Sequence, residues 1–159
     1  MATLIGDGSH AVDIAHTHPF TKCVPHHSQY VDDGMRVCIG INDPRLRAEV
    51  SREIRVRDSS WVHPQTWIGP ECEYAYGTHI NYGVTMTRTR IGSHCTISPG
   101  VTICGDVIIG DRVLIGAGAV ISDRVTIGDE ATVGAGAVVL PTTDIGAGET
   151  WVGVPARPL

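Results

Sequence analysis

Between about Val62 and Ile145 an aliphatic residue returns every sixth position, in one register through Ile91, Ile97, Ile103, Ile109, Ile115, Ile121, Ile127, Val133, Val139 and Ile145. A helix repeats its apolar face at three and four residues and a half-buried strand at two, so neither gives a step of six. A short strand followed by a sharp turn does. Three such units close one triangular coil, with the aliphatic side chains stacked inside it. Four places after each aliphatic, Cys95, Val101, Val107, Val113, Ala119, Val125, Ala131 and Ala137 are small or β-branched. Both inward positions of the strand are therefore apolar and slim. Gly92, Gly110, Gly116, Gly128 and Gly134 directly follow an aliphatic, while Asp111-Arg112, Asp123-Arg124 and Asp129-Glu130 mark solvated corners. The pattern predicts a mainly β chain built on a parallel β-helix over residues 61–159.

The same step runs earlier through Val62, Ile68, Tyr74, Ile80 and Met86, but Ile91 follows Met86 by five, so a turn within residues 87–90 is one residue short. After Ile145 the pattern frays, because Glu149 takes the next inward position; no C-terminal helix is predicted. Upstream, Thr3-Leu4-Ile5 reads as a strand, residues 6–10 as a glycine-rich turn and residues 11–16 as a helix capped by Ser9. A turn into a helix N-terminus offers free N–H groups to an anion, although a plain tight turn accounts for it equally well. Residues 18–29 look irregular. Residues 30–34 read as a strand end and turn, residues 37–40 as a second strand, and Asn42-Asp43-Pro44 as the cap of a helix over residues 45–52. Strand and helix alternation predicts a small, truncated, Rossmann-like α/β domain over residues 1–58, joined to the coil by a polar connection.

Composition agrees with a narrow interior: 19 Gly stand against three Met and a single Phe. A formal net charge of −5 provides no basic face for nucleic acid. The first residues lack a basic leader, and no apolar run approaches the ~18 residues of a membrane span, so a cytoplasmic protein without a membrane partner is expected. Five cysteines without a CxxC pair, and His16, His18, His26 and His27 without fixed spacing, predict packing thiols and no metal site.

The hexapeptide register, Gly116-Ala117-Gly118-Ala119 and Gly134-Ala135-Gly136-Ala137 one coil apart, and the ending VGVPAR resemble the left-handed β-helix acyltransferases. The segments LIGDGSHAVDIA, YVDDG and CIGINDPRLR are similar to those of bacterial sialic acid O-acetyltransferases and UDP-4-amino-sugar N-acetyltransferases. This resemblance implies a left-handed coil, a homotrimer, acetyl-CoA held between neighbouring coils, and a sugar nucleotide held by the first domain. On the family's motifs, Gly6, Gly8, Ser9, His10, Asp32, Asp33, Gly40 and Asn42 would meet the nucleotide. Ala117, Gly118, Ala135 and Gly136 would line the pantetheine path. Val154 and Pro155 would lie near the adenine, and Arg157 would lie near the phosphates of CoA, which a guanidinium suits by charge and shape. The chain departs from the family in two ways. A stretch of strand and loop between YVDDG and MRVCIG is missing, and the family's two histidines fall at Thr87 and Thr96.

Acetyl transfer needs a nucleophile, an oxyanion donor and a route for the proton. His79 precedes an inward isoleucine, so strand alternation turns it outward onto a flat face, one rung below Thr96; it is the first candidate base. His94, in a turn, is the second, and His63 reads as a cap on the stack. An interface role suits either candidate as well as catalysis does. A third route needs no imidazole: an amine that arrives deprotonated attacks the thioester directly, which favours an amino sugar over a hydroxyl acceptor. An acetyl-CoA-dependent N-acetyltransferase of an amino sugar is therefore the leading expectation. A sugar O-acetyltransferase, and a trimeric scaffold that has lost catalysis, are the alternatives.

Overall fold

The computed structural model describes residues 2–5, 20–24, 36–53 and 60–159. Strands β1 (Ala2–Ile5), β2 (Phe20–Val24) and β3 (Arg36–Ile39) form a parallel sheet in the order β2-β1-β3. β2 corrects the irregular reading of residues 18–29: Pro19 and Pro25, which suggested a loop, bracket a run rich in strand-forming side chains. The expected helix at residues 11–16 and the turn at residues 30–34 lie outside the described residues.

Helix α1 (Pro44–Glu53) begins as its sequence dictates. Asp43 Oδ1 accepts the amide N–H groups of Arg45 (2.9 Å) and Leu46 (3.1 Å), and Pro44 takes the first helical position, where no N–H is needed. Pro44, Arg47, Ala48, Val50 and Ser51 are buried.

From Trp61 the chain winds as a three-sided coil whose faces are sheets of seven, five and five strands. The ten aliphatics of the main register are at most 4% exposed, and the eight residues four places on are at most 1% exposed. Rungs step by 18 residues from Val62 to Ile80, by 17 from Ile80 to Ile97, and by 18 again from Ile97 to Ile115. The shortened turn is thus absorbed at Arg88, in the left-handed region at φ 43°, without disturbing the strands. One inward expectation fails: Tyr74 keeps register with Ile91 but is 41% exposed, because it lies on the first rung with no coil beneath it.

At the other end Glu149 turns outward and accepts hydrogen bonds from Trp151 Nε1 (2.8 Å) and Gly146 N (2.9 Å). Trp151 stacks over Val133, and Arg157–Pro158 returns antiparallel to Thr150–Val152, burying Ala156. Among the described residues no helix is long and apolar enough to cross a membrane.

Candidate functional site

The three corners of the coil differ in chemistry, and that difference locates the candidate sites. One corner is a column of left-handed glycines, Gly83, Gly100, Gly118 and Gly136, with φ between 65° and 70°. The rungs are tied by Gly118 N–H to Pro99 O (2.9 Å) and Gly136 N–H to Ala117 O (2.8 Å). A Cβ added at Gly118 or Gly136 would meet nothing within 4 Å. Conformation demands these glycines, and their lack of side chains leaves a bare edge along which another molecule can approach the backbone. Ala117, Gly118, Ala135 and Gly136 are all exposed here. The Val138 N–H bond to Gly153 O (3.0 Å) carries the C-terminal loop over the same edge, where Val154 is 72% exposed. Arg157 is exposed and donates to Ala156 O (2.7 Å). The sequence-predicted cofactor residues therefore share one end of one edge.

The predicted nucleotide residues are only partly described. Gly40 is buried, and Asn42 has an exposed side chain; both follow the C-terminal end of β3, the sheet edge where parallel α/β units hold ligands. Gly6, Gly8, Ser9, His10, Asp32 and Asp33 lie outside the described residues.

His79 is outward from the coil and pairs with Thr96, as the register requires, but the face there is not open. The N-terminal unit covers it: His79 is 0% exposed, with Nε2 3.7 Å from Cys38 Sγ and the Trp61 ring edge-on at 6.2 Å. His94 is buried as well, at φ 55°, edge-on to Tyr76 at 5.2 Å. Burial, then Arg47 and Arg112, push its pKa down to about 4, so the ring is neutral at pH 7. Its packing explains Gly77, where a Cβ would fall 2.4 Å from His94 Nδ1. His63 accepts the Gln65 amide on Nδ1 (3.1 Å) and meets Trp61 and Tyr82 edge-on.

Against His94 and Thr96 lies Arg47, which sequence reasoning missed. It is 0% exposed, and oxygen takes all of its N–H donors. Nε donates to Gly77 O (3.0 Å), Nη1 to Ile41 O (2.5 Å) and Thr96 Oγ1 (3.0 Å), and Nη2 to His94 O and Cys95 O (both 2.8 Å). Thr96 Oγ1 in turn donates a hydrogen bond to Asn42 O (2.8 Å). Thr96, where the resemblance places a family histidine, is here part of the joint between α1 and the coil. Cys95 packs beside it, its thiol pushed up to about 12 by burial.

A shallow cleft of about 360 Å³ opens at the corner where the turn is shortened. Trp67, Thr85, Thr87, Arg88, Cys104 and Asp123 contribute to its lining. Arg88 crosses the corner to Asp106 (Nε to Oδ1, 3.1 Å), and Asp123 Oδ1 accepts the Gly105 amide (2.9 Å). Thr87, where the resemblance places the other family histidine, is therefore the one of the two positions that faces a cleft. Among the described residues no three His, Cys, Asp or Glu side chains gather as a metal ion requires.

Comparison with known proteins bears on this geometry. The six-repeat bacterial transferase hexapeptide family matches residues 88–123 and 106–141. A point mutant of perosamine N-acetyltransferase from Caulobacter crescentus, solved in complex with CoA and GDP-perosamine, superposes with a TM-score of 0.79. It is 25% identical, and the match covers 99% of this chain and 96% of that one. Transferase hexapeptide repeats thus run over residues 88–141, and the chain as a whole is similar in fold to this acetyltransferase. Two further solved structures support its left-handed fold. WeeI from Acinetobacter baumannii AYE gives a TM-score of 0.78 at 20% identity, covering 100% of this chain and 99% of that one. The acetyltransferase domain of PglB from Neisseria gonorrhoeae FA1090, in complex with acetyl coenzyme A, gives 0.75 at 22%, covering 99% and 98%. No curated protein sequence matches the chain.

Two features of the chain escaped sequence reasoning. Arg47 sits in a helix so polar that it reads as a solvated charge; the only hint was its place on the face with Ala48 and Val50. The cleft was signalled by the five-residue step from Met86 to Ile91, which marked the corner without giving its shape.

Proposed function

We propose that the chain transfers the acetyl group of acetyl-CoA to the amine of a nucleotide-linked amino sugar, and that it does so as a cytoplasmic homotrimer. The observation that carries this reading is the superposition, over nearly the whole chain, on an N-acetyltransferase solved with CoA and GDP-perosamine. Acetyl-CoA would lie along the bare edge at Ala117, Gly118, Ala135 and Gly136, with its nucleotide end near Val154, Pro155 and Arg157. The sugar nucleotide would be held by the domain at residues 1–58, through Gly6, Gly8, Ser9, His10, Asp32, Asp33, Gly40 and Asn42.

The burial of His79 and His94 favours direct attack by a neutral amine. The nitrogen lone pair forms the C–N bond to the thioester carbonyl, the C–S bond breaks, and CoA leaves as thiolate. The proton shed by the amine ends on the thiol or in water. The enzyme's part is to orient the pair and exclude competing water. In this reading the two imidazoles hold the N-terminal unit on the coil.

Thr87 and Thr96, at the positions of the family's histidines, favour a second reading: a trimeric binding protein without turnover. Thiol release from acetyl-CoA separates the two. Purified protein would be assayed against a panel of UDP-, dTDP- and GDP-linked amino sugars, with its mass checked by light scattering. Release with one acceptor, from a particle of three chains, is the expected result. Acetyl-CoA binding without release from any acceptor would establish the second reading, and a monomeric mass would overturn the shared cofactor edge.

A further inference from the structure

Trp67 is 57% exposed, yet its ring is fixed from one side. A Cβ at Gly69 would fall 2.6 Å from Trp67 Cη2, 2.9 Å from Cζ3 and 3.1 Å from Met86 O, so the absence of a side chain there makes room for the indole. The ring lines the cleft. On the next two rungs of the same sheet are the hydroxyls of Thr85 and Thr102, 3.5 Å apart, with Thr87, the Arg88 guanidinium and the Asp123 carboxylate also in the lining. The cleft thus pairs one rigid apolar plate with a ring of donors and acceptors. A pyranose has the matching surface, with an apolar face of C–H groups and a polar edge of hydroxyls and amine. The volume, about 360 Å³, lies within the ~300–1,000 Å³ of small-molecule sites.

We propose that Trp67 is the platform on which the acceptor sugar ring stacks, in the space that Gly69 leaves for it. The proposal rests on the function argued above and names the residue that selects its acceptor. The ring is a positioning residue: it presents the amine beside Thr87 and takes no part in bond making.

The test uses the full-length protein and whichever member of the nucleotide amino-sugar panel it acetylates. Trp67→Ala is expected to raise the KM for that acceptor about tenfold, with little change in kcat or in the KM for acetyl-CoA. Trp67→Phe should recover most of the loss. Gly69→Ala, which leaves the indole in place but lifts it, should move the acceptor KM in the same direction. The acceptor should also slow alkylation of Cys104, read by peptide mass mapping, in the wild type and not in Trp67→Ala. An acceptor KM within twofold of wild type in Trp67→Ala would overturn the inference and leave the function standing. So would a trimer that Trp67→Ala breaks into single chains, since the plate would then be a subunit contact. Failure to acetylate any panel member would overturn the function, and the inference with it.

Discussion

A histidine kept neutral inside a joint makes stability depend on acidity. His94 faces Arg47 and Arg52 from α1, and Arg112 and Asp111 from the coil, and three of these four are cations. Burial and the three cations, against the opposing effect of Asp111, hold the folded-state pKa near 4, below the ordinary 6.5 of the unfolded chain. Between those values the unfolded chain binds the extra proton and the folded one does not. Stability is therefore whole above about pH 6.5 and falls as the pH drops towards 4, by at most about 1.4 kcal/mol per pH unit from this one group. Urea midpoints measured from pH 7.5 to 4.5 should show the decline. His94→Asn tolerates the left-handed backbone and cannot titrate, so its midpoint should fall less steeply. An equal slope in both proteins would remove His94 as the source. The same burial separates His79 and His94 from solvent, which strand alternation alone could not reveal: it places a side chain outside the coil but says nothing about what covers it.

Among the coil's elements, two glycines two residues apart serve opposite ends. At Gly116 a Cβ would stand 2.4 Å from Ala135 N and 2.7 Å from Gly134 C, so a side chain would force one rung off the next. At Gly118 there is space, and only φ 67° demands glycine. Gly116→Ala should cost about 1–3 kcal/mol by overpacking against backbone, and Gly118→Ala about 1 kcal/mol of backbone strain. Calorimetric midpoints should rank them in that order, while acetyl-CoA affinity should suffer more in Gly118→Ala, whose methyl group would stand on the bare edge. The reverse ranking of midpoints would mean that the rungs yield where the backbone contact is tight. The coil was legible in the sequence because every rung imposes the same narrow interior, so Ile97, Ile115 and Val133 repeat one environment. Phe20–Val24 was hidden by its flanking prolines, and Tyr74 was misread because periodicity assumes a neighbour below that the first rung lacks. Ala117, Gly118, Ala135 and Gly136 stood out by resemblance to the family's motifs, whereas nothing in the periodicity distinguishes Trp67, whose room depends on Gly69 two residues away.

For the molecule as a whole, the joint between α1 and the coil concentrates on a single guanidinium. Arg47 reaches Gly77, His94 and Cys95 on the coil through carbonyl oxygens and Thr96 through its hydroxyl, while also holding Ile41 just ahead of its own helix. Arg45 adds a bond to Glu130 O (2.5 Å), two rungs above His94 at the same corner. These acceptors diverge around a plane, a geometry that the guanidinium fork fills and a lysine ammonium, with three donors at one point, cannot. Arg47→Met would leave the carbonyls buried without their donor, and the loss should be about 3–5 kcal/mol, the scale for removing one partner from a buried charged network. The coil's own ladder does not pass through Arg47, so the loss should fall on the joint. Hydrogen exchange should show residues 44–53 opening earlier in Arg47→Met, while the strands from Leu114 to Val139 keep their protection. Arg47→Lys should behave much like Arg47→Met. If both regions lose protection together, α1 and the coil form one cooperative unit. If neither changes, the network is dispensable and the N-terminal unit is held by its apolar contacts. The expected split would also bear on catalysis: a nucleotide held at the end of β3 delivers its sugar to the coil only while the joint fixes the distance between them. In Arg47→Met, acetyl transfer should then fall further than acetyl-CoA binding.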